Sequence, residues 1–333
     1  MSPAESRAVA SPPTRAGAIR WRGAAFGLAL DSAFPLPGIG AKPRAATIGT
    51  TTIELTSPAK LERAWRPQEA TEIVDRRHRD GSLMMAIDAH PVLGYRIWAP
   101  RHGRHLVSSD GRRITSALPR VIPWRWQRLL FAQVLPLAAT LQGVELFHAS
   151  AVDLDGHALA FLASSGTGKT SLAVHLVADG ASLLTDDVLA LEPSAGAILA
   201  HPGAGFANVP VAEWESLPRS VQDRLGTVIG RSDKLHLAAN LASGPSPLSG
   251  IYVVARRAQF RSLVIRASEP PSPLALLSSC FIPYVRVPAR LAHHLDVCAE
   301  IARLVPIFEV DVPEAHPGRE TAAAVLAHAE RLL

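Results

Sequence analysis

Phe161-Leu-Ala-Ser-Ser-Gly-Thr-Gly-Lys-Thr-Ser171 is a run of small and hydroxyl residues between an apolar segment and a helical pattern. Small residues allow successive backbone N–H groups to converge on phosphate oxygens at the positive end of the following helix. In loops of this kind the lysine reaches the β- and γ-phosphates, and the hydroxyl residue after it ligates Mg²⁺. Lys169 and Thr170 occupy these two positions. The stretch therefore predicts a nucleotide phosphate site.

The loop departs at one place from the usual pattern G-x-x-x-x-G-K-[ST]. Ala163 stands where the first glycine is expected, which is tolerable if its φ is negative. An apolar strand before the loop and a helical pattern over 169–179 supply the context that the motif needs; a chance turn of small residues is the alternative. The residues predicted to contact the nucleotide are Ser164, Ser165, Gly166, Thr167, Gly168, Lys169, Thr170 and Ser171.

Asp155-Gly156 separates two apolar segments, and Asp-Gly is a preferred two-residue turn of β-hairpins. With these residues at the centre of the turn, the register sets His148 opposite Ala163. Turn chemistry thus brings His148 to the mouth of the phosphate loop, where it could polarise a phosphate or orient a base. A structural histidine is the alternative. The hairpin also predicts a mixed sheet, because the strand before the loop pairs antiparallel with its predecessor.

A carboxylate pair, Asp186-Asp187, lies within the apolar segment 182–191, which the pattern predicts as one strand. A strand that follows the loop helix can return to the same edge of the sheet, so both carboxylates can approach the bound phosphates. Adjacent strand residues point to opposite faces. We therefore expect the two carboxylates to divide two tasks: accepting the proton of an attacking hydroxyl, and supporting Mg²⁺. Solvated acids in a turn are the alternative.

Positive charge near the transferred phosphate could come from the polar stretch Arg231-Ser-Asp-Lys-Leu235. Phosphoryl transfer gains from cations around the equatorial oxygens. Arg231 and Lys234 are therefore candidate phosphate-binding residues. A solvated charge cluster with Asp233 is an equally supported alternative, and Arg256-Arg257 at the end of a strand is predicted to lie at the surface.

Composition places the chain among globular proteins, with 48% hydrophobic and 19% charged residues in 333. The net charge of +5 is spread as single arginines, so the sequence gives no support for a nucleic-acid partner. The longest apolar run, 129–146, is interrupted by polar residues and proline, and we expect no membrane association. Cys280 and Cys298 show neither metal-ligand spacing nor a disulfide framework. We expect a cytoplasmic chain, for which a homo-oligomer remains possible.

Periodicity predicts an α/β fold in three parts: a flexible leader (1–20), a β-rich N-terminal domain (21–120) and a nucleotide-binding catalytic domain (121–333). Segments 24–30, 82–87 and 94–98 are predicted strands, and Asp110-Gly111 predicts a hairpin turn. Segment 123–142 is a predicted helix with a kink or break at Pro136. Residues 204–250 are predicted to be rich in loops. The C-terminal part is predicted to contain helices at roughly 272–280, 288–304 and 318–333 and a strand at 307–312.

His148-Ala-Ser, the loop 163–170 and Thr185-Asp-Asp187 together resemble the catalytic core of HPr kinase/phosphorylase, whose fold is related to phosphoenolpyruvate carboxykinase. The resemblance covers about residues 146–191. The second, arginine-rich signature of that family is missing. Phe26-Gly-Leu-Ala-Leu30 and Phe34-Pro-Leu-Pro-Gly38 instead resemble the HPr-kinase-like proteins of peptide-tailoring clusters, including lasso-peptide kinases.

The resemblance implies a mixed-sheet kinase core that uses ATP and Mg²⁺. It implies Asp186 as general base, Asp187 as its assistant at the metal, His148 lining the site, and Lys169 and Thr170 holding ATP and Mg²⁺. The expected activity is transfer of the γ-phosphate to a hydroxyl, with serine of a peptide or small protein as the acceptor. A kinase of a free metabolite and a non-catalytic nucleotide-binding module are the alternatives.

Overall fold

The computed structural model describes residues 20–39, 48–119, 123–164, 166–271 and 273–333. The predicted leader therefore lies outside the described residues except for Arg20, and Ser165 of the phosphate loop lies outside them as well. The described chain folds as an α/β protein with mixed sheets, in agreement with the predicted class. Within these ranges, none of the helices combines the length and apolar character needed to cross a bilayer.

The first sheet contains eight described strands in the order β1-β2-β3-β8-β7-β6-β5-β4. Strand β3 pairs in parallel with β2 and β8, and the other neighbours are antiparallel. Helix α1 (Pro58–Ala64) and a 3₁₀ turn (Pro67–Glu69) connect β3 to β4. The strands are Trp21–Ala25 (β1), Leu28–Ser32 (β2), Gly49–Leu55 (β3), Thr71–Arg77 (β4), Leu83–His90 (β5), Gly94–Ala99 (β6), Gly103–Val107 (β7) and Arg113–Ala117 (β8).

Of two sequence predictions that depend on turns in this sheet, one is confirmed and one is wrong. The hairpin about Asp110-Gly111 is confirmed, with Val107 opposite Ile114. The single strand predicted at 24–30 is wrong, because the chain reverses at Phe26 and Gly27, whose φ angles are +55° and +75°. Two successive residues with positive φ make the turn that matches strand twist, and phenylalanine gives no sequence signal for it.

Residues 123–141 form one helical segment that joins the two sheets. Helix α2 (Pro123–Leu129) continues through a π-helical turn (Leu130–Val134) into α3 (Leu135–Leu141). The helix does not break at Pro136, so the predicted break is wrong, and the irregular part of the helix is the π turn directly before α3. A proline lacks an N–H, and its ring crowds the carbonyl four residues earlier. The wider π turn directly before α3 gives this ring room, and the segment stays helical.

The second sheet carries the segment 163–170, which the sequence predicts to bind phosphate and which is called the phosphate loop. Strand β11 pairs antiparallel with β10 and parallel with β18, so the predicted mixed sheet is confirmed. A separate three-stranded sheet, β15-β17-β16, lies beside it. The strands are Glu145–Phe147 (β9), Ala149–Leu154 (β10), His157–Leu162 (β11), Ser182–Thr185 (β12), Leu189–Ser194 (β13), Ala197–His201 (β14), Phe206–Pro210 (β15), Gly226–Arg231 (β16), Lys234–Ala239 (β17), Ser246–Arg256 (β18), Val264–Ala267 (β19) and Ile307–Val312 (β20).

Helices α4 and α9 pack against each other beside the loop strand. Leu172, Leu176 and Val177 bury the apolar face of α4, and Gly180, with a φ of +117°, follows its end as predicted. The remaining helices are Lys169–Ala178 (α4), Val211–Ser216 (α5), Arg219–Leu225 (α6), Leu274–Ser278 (α7), Pro288–Leu304 (α8) and Gly318–Ala329 (α9).

Two predictions about the second half are wrong. Segment 182–191 is not one strand, because β12 ends at Thr185 and β13 begins at Leu189, with the two aspartates between them. Residues 204–250 are not mainly loop, since they contain α5, α6 and the three-stranded sheet. In this region the apolar residues alternate over only a few positions per strand, which made the pattern hard to distinguish from a loop.

One hydrophobic core crosses from the first sheet to the second. It includes Leu28 and Ile53 of the first sheet, Leu130 of the connecting helix, and Val188 and Ile282 from the second half, all buried. Two further cores flank the second sheet, one beneath α4 and α9 and one beneath α8. The helix that joins the sheets is therefore part of a shared interior.

Candidate active site

The phosphate loop, the candidate histidine and the two aspartates lie together at one edge of the second sheet. The hairpin register is as predicted, with Leu154 opposite His157 and Ala149 opposite Leu162. Strand β12 runs antiparallel to β10, with Thr185 paired to Ala151. The end of β11, the start of β10 and the end of β12 thus meet at the same edge, because each neighbouring pair is antiparallel.

The loop between β11 and α4 has the backbone that a phosphate cradle needs. Gly166 and Gly168 have φ angles of +82° and +111°, in the left-handed region that favours glycine. Gly168 is the residue before the first turn of α4, so the N–H groups of that turn face the loop. A Cβ placed on either glycine would meet no heavy atom within 4 Å, so the concave face of the loop is open. These features fit an anion held by backbone N–H groups.

Lys169 and His148 contact each other beside the loop. The Lys169 ammonium donates to the carbonyl of Ala163 at 2.7 Å and to Nε2 of His148 at 3.2 Å. Because a lysine only donates, Nε2 accepts, and Nδ1 of the neutral ring donates to the backbone carbonyl of Asp187 at 3.1 Å. Burial, followed by the charge of Lys169, lowers the pKa of His148. The predicted approach of His148 to the loop is therefore observed, with the neutral imidazole linking Lys169 to the aspartate turn.

Asp186 is buried directly behind the loop. Its Oδ1 accepts hydrogen bonds from the hydroxyls of Ser150 at 2.8 Å and Thr170 at 2.9 Å. Its Oδ2 accepts from the backbone N–H of Asn208 at 3.1 Å. Burial, followed by the charge of Asp187, raises the pKa of Asp186 to about 6. A carboxylate and the hydroxyl residue of the loop thus share one contact, which is the usual arrangement of Mg²⁺ ligands in phosphate-loop enzymes.

Asp187 sits at the tip of a tight three-residue turn. The N–H of Val188 donates to the carbonyl of Asp186 at 2.9 Å, and Asp187 between them has a φ of +67°. Such a turn is rare and strained for a residue with a side chain. Its carboxylate is half-buried and accepts from Nδ2 of Asn208 at 3.3 Å. The two carboxylates thus differ in burial and hydrogen-bond partners because of this turn rather than because of the alternation of a strand.

Asn208 and His236 belong to the site but were not found in the sequence. Asn208 binds both aspartates, and its Oδ1 pairs with Nδ1 of His236 at 2.7 Å. His236 is held between the rings of Phe206 and Trp124, with the Trp124 ring centroid 4.6 Å away. In the sequence each of them is a polar residue within a short apolar segment, and this pattern matches no functional motif.

The other residues considered in the sequence analysis lie at different positions relative to the phosphate loop. Ser171 donates its hydroxyl to Glu213 at 2.7 Å, while the loop residue Thr167 accepts at its carbonyl from Arg256. Arg256 is half-buried and also donates to the carbonyls of residues 313, 314 and 316, so the surface prediction is wrong for Arg256, whereas Arg257 is exposed as predicted. Lys234 is half-buried near the site, and its charge contributes to lowering the pKa of Lys169, after burial as the main cause. Arg231 is exposed at the end of β16.

Comparison with solved structures gives distant structural likenesses, among them one to a kinase/phosphatase. The chain is similar to the HPr(Ser) kinase/phosphatase from Coxiella burnetii, with 11% sequence identity and a TM-score of 0.33. The alignment covers 56% of this chain and 98% of that chain. At this TM-score the likeness carries no weight for fold or function. No family model matches the chain, and no curated protein matches its sequence.

Proposed function

We propose that the chain is an ATP- and Mg²⁺-dependent kinase that transfers a phosphoryl group to a hydroxyl of a peptide or small protein, with serine as the expected acceptor. One observation carries the proposal: the buried carboxylate of Asp186 contacts Thr170 of the phosphate loop, and Asp187 lies beside it at the loop mouth. A loop that only bound nucleotide would not require two carboxylates, one of them with a raised pKa, at this position.

The side chains present suit a nucleotide and its metal ion. When bound, ATP supplies the phosphoryl group, and Mg²⁺ offsets the charge on its phosphates. The backbone of residues 166–168 and the ammonium of Lys169 would hold the phosphates. The hydroxyl of Thr170 and the carboxylate of Asp186 are oxygen ligands of the kind that Mg²⁺ prefers.

The geometry favours a division of labour that differs from the one implied by the resemblance. Asp186 is nearly inaccessible and already contacts Thr170, which supports it as the metal-side carboxylate. Asp187 is half-buried at the loop mouth, which supports it as the group that accepts the proton of the acceptor hydroxyl. Asn208 would position both carboxylates, since it donates to each of them.

A peptide acceptor is favoured over a free metabolite by an open groove between the first sheet and helix α2, lined by residues of the predicted N-terminal domain as well as by the helix. An open groove suits an extended chain, whereas a free metabolite would be expected in a closed pocket beside the loop.

The test is phosphoryl transfer from radiolabelled ATP to serine-containing peptides at a series of Mg²⁺ concentrations. Asp186→Asn and Asp187→Asn are each expected to lower kcat by about 100-fold or more, because a positioned carboxylate contributes that much in such reactions. Asp186→Asn should also raise the Mg²⁺ concentration needed for half-maximal rate, whereas Asp187→Asn should not. The matched control is Asp155→Asn, the same change in an exposed hairpin turn.

Two outcomes would contradict parts of the proposal. If Asp186→Asn lost activity without any change in its Mg²⁺ requirement, Asp186 would be the base and the division of labour above would be wrong. If the wild-type chain bound ATP but phosphorylated no peptide, and binding survived both substitutions, the chain would be a nucleotide-binding module without transfer chemistry.

A further inference from the structure

A groove of about 920 Å³ lies between the first sheet and helix α2, away from the phosphate loop. Its walls are the ends of β4 and β5, the turn after β6, and the outer face of α2. Met85 and Leu129 lie on its apolar floor, and both are buried. A cleft of this size is at the upper end of the range of ligand sites, and its open shape suits a segment of extended chain.

Positive charge dominates the rim of the groove. Arg76, Arg101, Arg125 and Arg128 line it, and among the described residues no carboxylate lies within ion-pair distance of any of the four. Asp80 also lines the groove, but its carboxylate accepts hydrogen bonds from the N–H and the hydroxyl of Ser82. The guanidinium groups of Arg76, Arg101 and Arg128 are therefore available for an external anion, while that of Arg125 lies over the Trp124 ring, 5.5 Å from its centroid. Guanidinium binds carboxylates in a paired geometry.

The helix that forms one wall of the groove also contacts the candidate active site. Trp124 of α2 stacks on His236, which holds Asn208 against the two aspartates. Hydrogen bonding to Ser232 is the main cause that lowers the pKa of Asp233, and the charge of Arg128 lowers it further. Arg128 is thus close to the β16–β17 turn as well as to the groove. Helix α2 thus lines the groove with some of its residues and contacts a support of the candidate site with another.

We propose that this groove docks an acidic segment of the phosphate acceptor, with carboxylates on the arginine rim and apolar side chains on the floor. The proposal rests on the kinase function above and names the chemistry of its substrate: a peptide with an acidic, partly apolar stretch at some distance from the acceptor hydroxyl. An apolar floor under a narrow basic rim favours a peptide over a nucleic acid, for which a broader basic face would be expected.

The experiment measures direct binding of short fluorescent peptide pools to the full chain by anisotropy, without nucleotide. The pools share randomised apolar positions and differ only in fixed acidic, amide or basic positions. The acidic pool should bind about tenfold more tightly than the amide pool, with a loss of affinity at high salt. The double variant Arg76→Glu/Arg101→Glu should lose this preference, and Arg22→Glu/Arg261→Glu, two exposed arginines outside the groove, should keep it.

ATP affinity, measured separately on the same variants, distinguishes the groove from the kinase proposal. The groove variants should bind ATP as the wild type does, and acidic-pool binding should be retained in Asp186→Asn even if no transfer is ever detected. Equal affinity for the three pools would overturn the docking proposal. So would tighter binding of a single-stranded oligonucleotide that the groove variants abolish, which would identify a nucleic-acid site.

Discussion

Asp187 combines an unfavourable backbone conformation with a side chain that we propose to act in phosphoryl transfer. A φ of +67° costs an ordinary residue about 1–2 kcal/mol relative to glycine, although aspartate tolerates this region better than most. Its neighbour Asp186 adds like-charge repulsion, which contributes to the raised pKa of Asp186. Strain of this kind persists where the surroundings hold it in place, and here the Thr185 hydroxyl and the His148 ring both bond the turn.

A pair of substitutions isolates the backbone contribution at this residue. Asp187→Gly and Asp187→Ala both remove the carboxylate and its repulsion, but only alanine keeps a Cβ at positive φ. We expect the glycine variant to have a free energy of unfolding about 1 kcal/mol higher than the alanine variant, and both to lack phosphoryl transfer. Denaturant titration in a chelating buffer measures the difference. Equal stabilities would show that the turn relaxes without strain.

The sequence located some site residues well because local chemistry fixes them. His148 could be placed beside the loop since the Asp-Gly turn sets the register of the whole hairpin. Asn208 could not be predicted, because its approach to the aspartates depends on where the three-stranded sheet packs, and no local pattern encodes that. The turn at Asp187 was missed for a related reason: aspartate is compatible with both a strand and a left-handed turn.

Among the elements, the hairpin β16–β17 lies between helix α2 and the candidate site. Gly230 in β16 lies against the ring of Trp124, and a Cβ at that position would lie 2.7 Å from three ring carbons. The following strand carries Lys234 and His236. Small movements of this hairpin should therefore shift both the positive charge and the histidine that supports Asn208.

Gly230→Ala tests this connection. The added methyl group should push the hairpin from the helix, lowering the free energy of unfolding by about 1–3 kcal/mol, as overpacking usually does. Transfer activity should fall more than ATP affinity, because the loop itself is not touched. Gly244→Ala is the matched control, since a Cβ there meets nothing within 4 Å. Similar stability and activity in the two variants would contradict the connection.

Strands and helices of the C-terminal part were predicted better than those of 204–250 because their patterns are long. Helix α8 and strand β20 have the predicted bounds, since a sustained apolar face or a run of β-branched residues identifies an element without help from its neighbours. The short helices α5 and α6 have few buried residues each. Their sequences therefore contain little periodic signal.

For the whole molecule, the shared core bears on the predicted boundary near residue 120. Leu130 and Leu137 of the connecting helix pack in the same core as Leu28 and Ile53 of the first sheet. A fragment of residues 121–333 would expose this apolar surface to water. Each Å² of apolar surface left exposed costs roughly 25 cal/mol of folding free energy.

We therefore expect the fragment 121–333 to be produced in insoluble form or as a loosely packed state that binds a hydrophobic dye, while the full chain unfolds in one cooperative transition. Near-ultraviolet circular dichroism and dye binding of the two proteins measure this. A fragment that unfolds cooperatively and binds no dye would show that the catalytic part folds independently, as the sequence prediction of two domains supposed.

The stacking of Trp124 on His236 also gives the protein an intrinsic fluorescence probe. Indole emission depends on the charge and distance of a neighbouring imidazole, and this imidazole is hydrogen-bonded to the residue that holds both aspartates. Arg125, which lines the groove, places its guanidinium carbon 5.5 Å from the centroid of the same indole. Because the chain has six tryptophans, the difference in emission between the wild type and Trp124→Phe would isolate this indole and test, without any label, whether ATP or a peptide binds near it.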